Sequence, residues 1–231
     1  MPVFSITGDV DPFLHVSLAK GEKIYCESNA MVMMETNLEL KGKMTGGIGA
    51  ALMRTFANGE SFFQQHIEAM RGDGDCLLSP TLPGAMRVLD VGTQQYMISD
   101  GAFVAASAGV ELKVRTQSLG NALFAQSGGF FITETAGSGQ LAVSGFGAMS
   151  ILEVTPGKDV VIDNSHVVCW DNRLQYEISM TTGSSGGFLG NLINSQTSRE
   201  GVVLKFSGTG KILVCSRNRA AFLAWTQSKP A

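Results

Sequence analysis

Apolar and polar positions recur along this chain as one phrase written three times. "GEKIYCESNAMVMMETNLEL" opens at Gly21, "GTQQYMISDGAFVAASAGVELKV" at Gly92 and "GKDVVIDNSHVVCWDNRLQYEIS" at Gly157. Each begins with a short apolar run, in which Cys26, Ile98 and Ile162 hold equivalent places. Polar turn text follows ("ESNA", "SDGA", "DNSH"), and a second apolar run starts at Met31, Phe103 or Val167. The tails then alternate with period two, at Leu38 and Leu40, at Val110, Leu112 and Val114, and at Leu174, Tyr176 and Ile178. Period two puts successive side chains on opposite faces of an extended chain, so run, turn, run and alternating tail predict a β-meander.

A second phrase recurs in the same order: "GDCLL" from Gly74, "GQLAV" from Gly139 and "GKILV" from Gly210. The first phrase steps by 71 and then 65 residues and the second by 65 and then 71, so both accumulate 136. Two independent phrases with one total offset predict three repeats of roughly 65 to 70 residues. Before each second phrase stand the strand-like runs "SFFQQHI", "GFFITET" and "GVVLKFS", joined to it by "GDG", "GSG" and "GTG" turns. Before those stand "IGAALMRTFANG", "LGNALFAQSG" and "LGNLINSQTSREG", which read as short irregular structure, with a helical turn in the first copy. The expected organisation is one body over 1–231, with repeats at about 13–81, 82–148 and 149–216. Residues 217–231 are expected to pack back as a helix or a strand, because Phe222, Leu223 and Trp225 are too apolar for a free tail. Three β repeats need closure to avoid bare edges, and a pseudo-threefold arrangement supplies it most economically. The expected class is all-β, with three pseudo-threefold-related repeats forming sandwich or barrel units and few short helices.

Composition agrees with a folded body. The 231 residues are 44% hydrophobic and 16% charged, and 28 Gly lie between the apolar runs, as a turn-rich fold requires. The net charge is −3 and Lys and Arg are scattered singly, a poor electrostatic match to nucleic acid. No uninterrupted apolar span of about 20 residues is present. The N-terminal text "MPVFSITGDV" has neither a basic flank nor an apolar signal core, so a cytoplasmic location is expected.

The ordered set Gly46-Gly47, Leu52-Met53-Arg54, Gly59-Glu60-Ser61-Phe62-Phe63 and Gly72-Asp73-Gly74 resembles the altered-inheritance-of-mitochondria family. The resemblance runs from about Phe4 to Arg219 and rests on the order of motifs more than on any one of them. It implies three fused copies of the fold of the tryptophan-RNA-binding attenuation protein. It carries no catalytic residues over to this chain, and it implies a scaffold or assembly role.

Candidate chemistry is thin. Cys26, Cys76, Cys169 and Cys215 lack metal spacing, and each stands where sister repeats have another residue type: Ile98 and Ile162, Leu141 and Ile212, Met33 and Ala105 for the first three. They read as small apolar fillers. His15, His66 and His166 have no shared spacing, and His166 replaces Ala30 and Ala102. Asp73 and Asp75 flank Gly74, and Asp9 and Asp11 flank Val10; Asp73 replaces Ser138 and Thr209 and reads as a turn residue. No nucleophile elbow and no phosphate loop occur. No metal, cofactor or catalytic residue is assigned.

One feature stands apart. Ile48, Leu52 and Phe56, with Met53 beside them, fall at helical spacing in Gly-rich text, and the counterpart in the third repeat is more polar. They cap their own repeat or form a subunit or membrane contact. Outer strand edges and the many Met and Phe favour a homo-oligomer. The expected partners are further copies of the chain, other proteins and a membrane surface touched peripherally, but not nucleic acid. The expected function is a non-enzymatic scaffold; the alternative is a binder of a small apolar ligand between repeats. If the stripe is a contact, Phe56→Asp is expected to lower the sedimenting mass of a chain that still folds. An unfolded Phe56→Asp chain would place the stripe in the core.

Overall fold

The computed structural model describes residues 1–43, 64–116, 131–180 and 202–228. They are mostly extended. Strand β1 (Val3–Thr7) precedes three runs of six strands each. The first run is β2 (Phe13–Leu18), β3 (Lys23–Glu27), β4 (Met31–Met34), β5 (Leu38–Lys43), β6 (Gln64–Ala69) and β7 (Gly74–Leu78). The second is β8 (Met86–Val91), β9 (Tyr96–Ser99), β10 (Phe103–Ser107), β11 (Val110–Thr116), β12 (Phe131–Gly137) and β13 (Gly139–Ser144). The third is β14 (Met149–Val154), β15 (Val160–Asp163), β16 (Val167–Asp171), β17 (Gln175–Met180), β18 (Val202–Ser207) and β19 (Gly210–Cys215). A 3-10 turn, Asn164–His166, links β15 to β16, and helix α1 (Arg219–Ser228) follows β19. The fold is all-β, as the period-two text predicts.

Pairing is the same in each run. The sixth strand lies between the first and the third: β7 between β2 and β4, β13 between β8 and β10, β19 between β14 and β16. The fifth lies between the second and the fourth: β6 between β3 and β5, β12 between β9 and β11, β18 between β15 and β17. The third strand carries a register irregularity at one place in all three runs, between Met31 and Met33, Phe103 and Ala105, and Val167 and Cys169. A bulge there inserts one residue, Val32, Val104 or Val168, and re-aims the strand that follows it.

Neighbouring runs also share sheets, which periodicity alone does not reveal. β3 pairs with β10, so the order is β5-β6-β3-β10-β13-β8. β9 pairs with β16, giving β11-β12-β9-β16-β19-β14. The remaining sheets are β1-β2-β7-β4 and β15-β18-β17. β10 and β16 therefore have a partner on each side, and every residue of both is buried. "FVAAS" and "VVCWD" are near-continuous apolar runs for that reason.

This exchange also sets how the chain divides. One compact unit comprises Met1–Gln94, Gly101–Leu112 and Thr135–Ser144; the other comprises Gln95–Asp100, Lys113–Glu134 and Gly145–Ala231. The middle run is thus shared, β10 going with β3 and β9 with β16. The first unit buries Leu14, Val16, Ile24, Ile67, Leu78 and Val104. The second is centred on Trp170, whose ring meets Tyr176 at 5.2 Å and Phe206 at 5.4 Å, both edge to face.

The turns between fifth and sixth strands need glycine where backbones nearly touch. Gly137 has φ +79°, and a Cβ there would lie 2.2 Å from the carbonyl oxygen of Gly109. That carbonyl already accepts the Ser138 N–H at 3.0 Å. Gly92 has nothing within 4 Å of its Cβ position. Gly137→Ala is therefore expected to cost well over 1 kcal/mol in urea unfolding, and Gly92→Ala no more than about 0.5 kcal/mol. Equal costs would contradict this packing.

Candidate functional site

The four thiols are free and buried, three of them at positions their apolar counterparts anticipate. Cys26 faces Ala105 across the β3–β10 ladder, and Cys169 faces Ile98 across β9–β16. Burial pushes Cys26, Cys76 and Cys169 up to about 12. Glu27 adds to the effect on Cys26, and Cys26 and Asp75 add to that on Cys76. Cys215 is raised too, again chiefly by burial. A neutral, enclosed thiol is neither a nucleophile nor a ready metal ligand.

The histidines lie apart in their contacts. His166 Nδ1 is 2.8 Å from the carbonyl oxygen of Cys215, pinning the 3-10 turn to the end of β19. His66, on β6, tilts against Tyr25 with ring centroids 6.0 Å apart. His15 has a neighbour at each ring nitrogen: Ser5 Oγ at 3.4 Å from Nδ1 and Asp75 Oδ1 at 3.3 Å from Nε2. This Ser–His–Asp row was not visible in the sequence, because it depends on the register of β1, β2 and β7. Both contacts exceed the 2.6–3.2 Å of a proton relay, and the His15 and Asp75 side chains are 35% and 44% exposed. The row is a cross-strand polar pairing on a wet sheet face. Among the described residues, no group of three His, Cys, Asp or Glu is arranged to hold a metal ion.

The acidic candidates serve the backbone. Asp73 accepts the Lys20 N–H at 2.8 Å, and its own carbonyl accepts Asn37 Nδ2 at 2.9 Å. Arg71 ties the same corner together, donating to the carbonyls of Thr36 and Leu38 and to Glu39 at 2.9 Å. The buried Asp171 accepts from Arg173, both at its backbone N–H (2.9 Å) and at its guanidinium (2.6 Å). Arg115 pairs with Glu134, which Asn172 also reaches at 3.4 Å. Each of these contacts closes a turn or bridges neighbouring strands.

What stands out is exposed apolar surface. Helix α1 buries no residue, and Phe222, Leu223 and Trp225 are 38%, 46% and 54% exposed. Phe222 packs back on the body, meeting the Phe146 ring edge-on at 5.3 Å. On the strands, Phe13, Val32, Met33, Ile151 and Val161 are also exposed. The stripe Ile48, Leu52, Met53 and Phe56 lies outside the described residues. No helix among the described residues is long and apolar enough to cross a membrane.

Residues 4–217 match the family described as mitochondrial biogenesis AIM24. The chain is 35% identical over 219 residues to an uncharacterised protein of Streptococcus pyogenes serotype M6, covering 91% of this chain and 84% of that one. It is also similar to a Streptococcus pyogenes protein whose X-ray crystal structure comes from a structural-genomics consortium. There the TM-score is 0.79 at 30% identity, covering 98% of this chain and 99% of the other.

The thiols give a direct check. A thiol raised on folding contributes stability that is fully present below its unfolded value of about 8.5 and is lost as pH rises toward its folded value. Stability is therefore expected to fall from about pH 9 toward pH 12, the unfolded thiols ionising first. At pH 8 an alkylating reagent is expected to label none of the four native cysteines and all four in denaturant. Fast native labelling would contradict the burial.

Proposed function

The chain belongs to the mitochondrial biogenesis AIM24 family, and for this member we propose a non-enzymatic scaffold that works by protein–protein assembly. The observation that carries the reading is helix α1, which buries none of its residues and leaves Leu223 and Trp225, beside the part-covered Phe222, open to solvent. Large apolar side chains grouped on one short helix support docking against a partner. The polar side chains support the same reading: they are engaged in turns and cross-strand pairs and do not converge on a shared point. We place this activity in the cytoplasm.

The test uses the full chain and α1 variants. Leu223→Ser and Trp225→Ser change side chains that the core does not hold, so melting is expected to stay within a few degrees of wild type. Proteins captured reproducibly by wild-type chain from its own host are expected to be lost with the double variant. A metabolite extract is expected to leave the melting temperature unchanged, since nothing small binds the folded state preferentially. Capture that ignores both substitutions, or a melting shift of several degrees with the extract, would overturn the reading.

A further inference from the structure

Two strands are edges here although their counterparts are interior. In the first and second runs the second strand is paired on both sides: β3 with β6 and β10, β9 with β12 and β16. In the third run its counterpart β15 has only β18 among the described residues. In the second and third runs the third strand is paired on both sides: β10 with β13 and β3, β16 with β19 and β9. In the first run its counterpart β4 has only β7 among the described residues. We propose that these two edges complete each other between molecules, β15 of one copy pairing antiparallel with β4 of a second copy.

The two internal ladders fix the register. The second strand ends four residues before the third begins in every run: Glu27 and Met31, Ser99 and Phe103, Asp163 and Val167. Counted from there, Cys26, Ile98 and Ile162 are equivalent. Counted from the bulge, so are Met33, Ala105 and Cys169. Cys26 faces Ala105 in one ladder and Ile98 faces Cys169 in the other. The copy junction therefore sets Ile162 against Met33. The next pairs are Tyr25 with Ala106 and Met97 with Trp170, so Val161 faces Met34. Both junction pairs are apolar, as are all four internal ones.

Burial and charge agree with this. Ile24, Tyr25, Cys26, Met97 and Ile98 are buried, and so are all of β10 and β16. At the equivalent places Val161 is 44% exposed, Val32 53% and Met33 41%, although the side chains are of the same kind. Ordinary edges are guarded by charge. The other edges of the three runs carry it: Glu39 and Lys41 on β5, Arg87 and Asp90 on β8, Glu111, Lys113 and Arg115 on β11, Glu153 on β14, Glu177 on β17. β4 has none, and β15 has only its last residue, Asp163. The uncharged edge β1 is partly covered, its Phe4 N–H donating to Gln140 Oε1 at 2.9 Å. Pairing would also make a sheet β17-β18-β15-β4-β7-β2-β1, the two internal sheets again with β1 added. Because the two edges differ, the contact is head-to-tail, and every copy that joins leaves one edge of each kind for the next.

The junction deepens the scaffold reading by supplying its repeating unit, yet its test does not involve α1. Met33→Cys and Ile162→Cys chains are purified separately and treated with a short thiol–thiol crosslinker, the native cysteines being buried. Mixing them is expected to give a product of twice the 24.5 kDa chain mass, at least tenfold above either variant alone. The double variant is expected to give a ladder of higher multiples. Val161→Lys alters an exposed side chain and is expected to reduce the sedimenting mass to one chain while melting as wild type does. Crosslinking of the double variant within one chain would overturn the proposal, as would equal products from either single variant alone or a mass unchanged by Val161→Lys. If the crosslinks form while the α1 variants still capture the same partners, the scaffold reading fails and the junction stands.

Discussion

The ladder between the second strand of one run and the third strand of the next is the interaction on which the rest depends. It converts β10 and β16 from edge strands into central ones, and it accounts for their being buried along their whole length. A strand covered on both faces and paired on both sides takes small or apolar side chains throughout, which explains the Ala pair in "FVAAS" and the Cys in "VVCWD". Cys26 and Cys169 follow from the same constraint, each sitting on one of these ladders. Their raised pKa values are a consequence of that enclosure rather than a sign of chemistry.

Much of this was legible in the residues. Period two in Val110, Leu112 and Val114 marks β11, and the Gly-x-Gly turns mark the entry to β7, β13 and β19. Apolar counterparts in the other runs identify three of the buried cysteines without any structure. The exchange of strands between runs was not legible, because periodicity describes one strand and its faces but says nothing of which edge it meets. The division of the middle run between two compact units was not legible for the same reason. The Ser5, His15 and Asp75 row needs three strands in register, so no local signal announces it. The apolar text of Phe222 to Trp225 was plain, yet its burial was not deducible: a helix formed in which no residue is fully buried.

For function, the useful contrast is between polar groups that are engaged and apolar groups that are not. Arg71, Asp73 and Asp171 each complete a corner, and the thiols are sealed. Helix α1 and the strands β4 and β15 leave apolar side chains in water, at a cost of about 25 cal/mol per Å2 relative to burial. These exposed side chains are the surfaces on which the proposed assembly would draw. Family membership is consistent with that use and does not by itself supply a partner.

Backbone amide hydrogen exchange, followed as a function of protein concentration, tests the head-to-tail junction most directly, since it reads the ladder itself. Among the amides of Val32 to Met34 and Val160 to Ile162, those that point away from β7 and β18 are expected to exchange quickly in dilute solution. As concentration rises they are expected to slow toward the rates of Val104 to Ala106 and Met97 to Ile98, which should not change. Exchange at β4 and β15 that stays fast at every concentration, or stays slow at every dilution, would contradict pairing between copies.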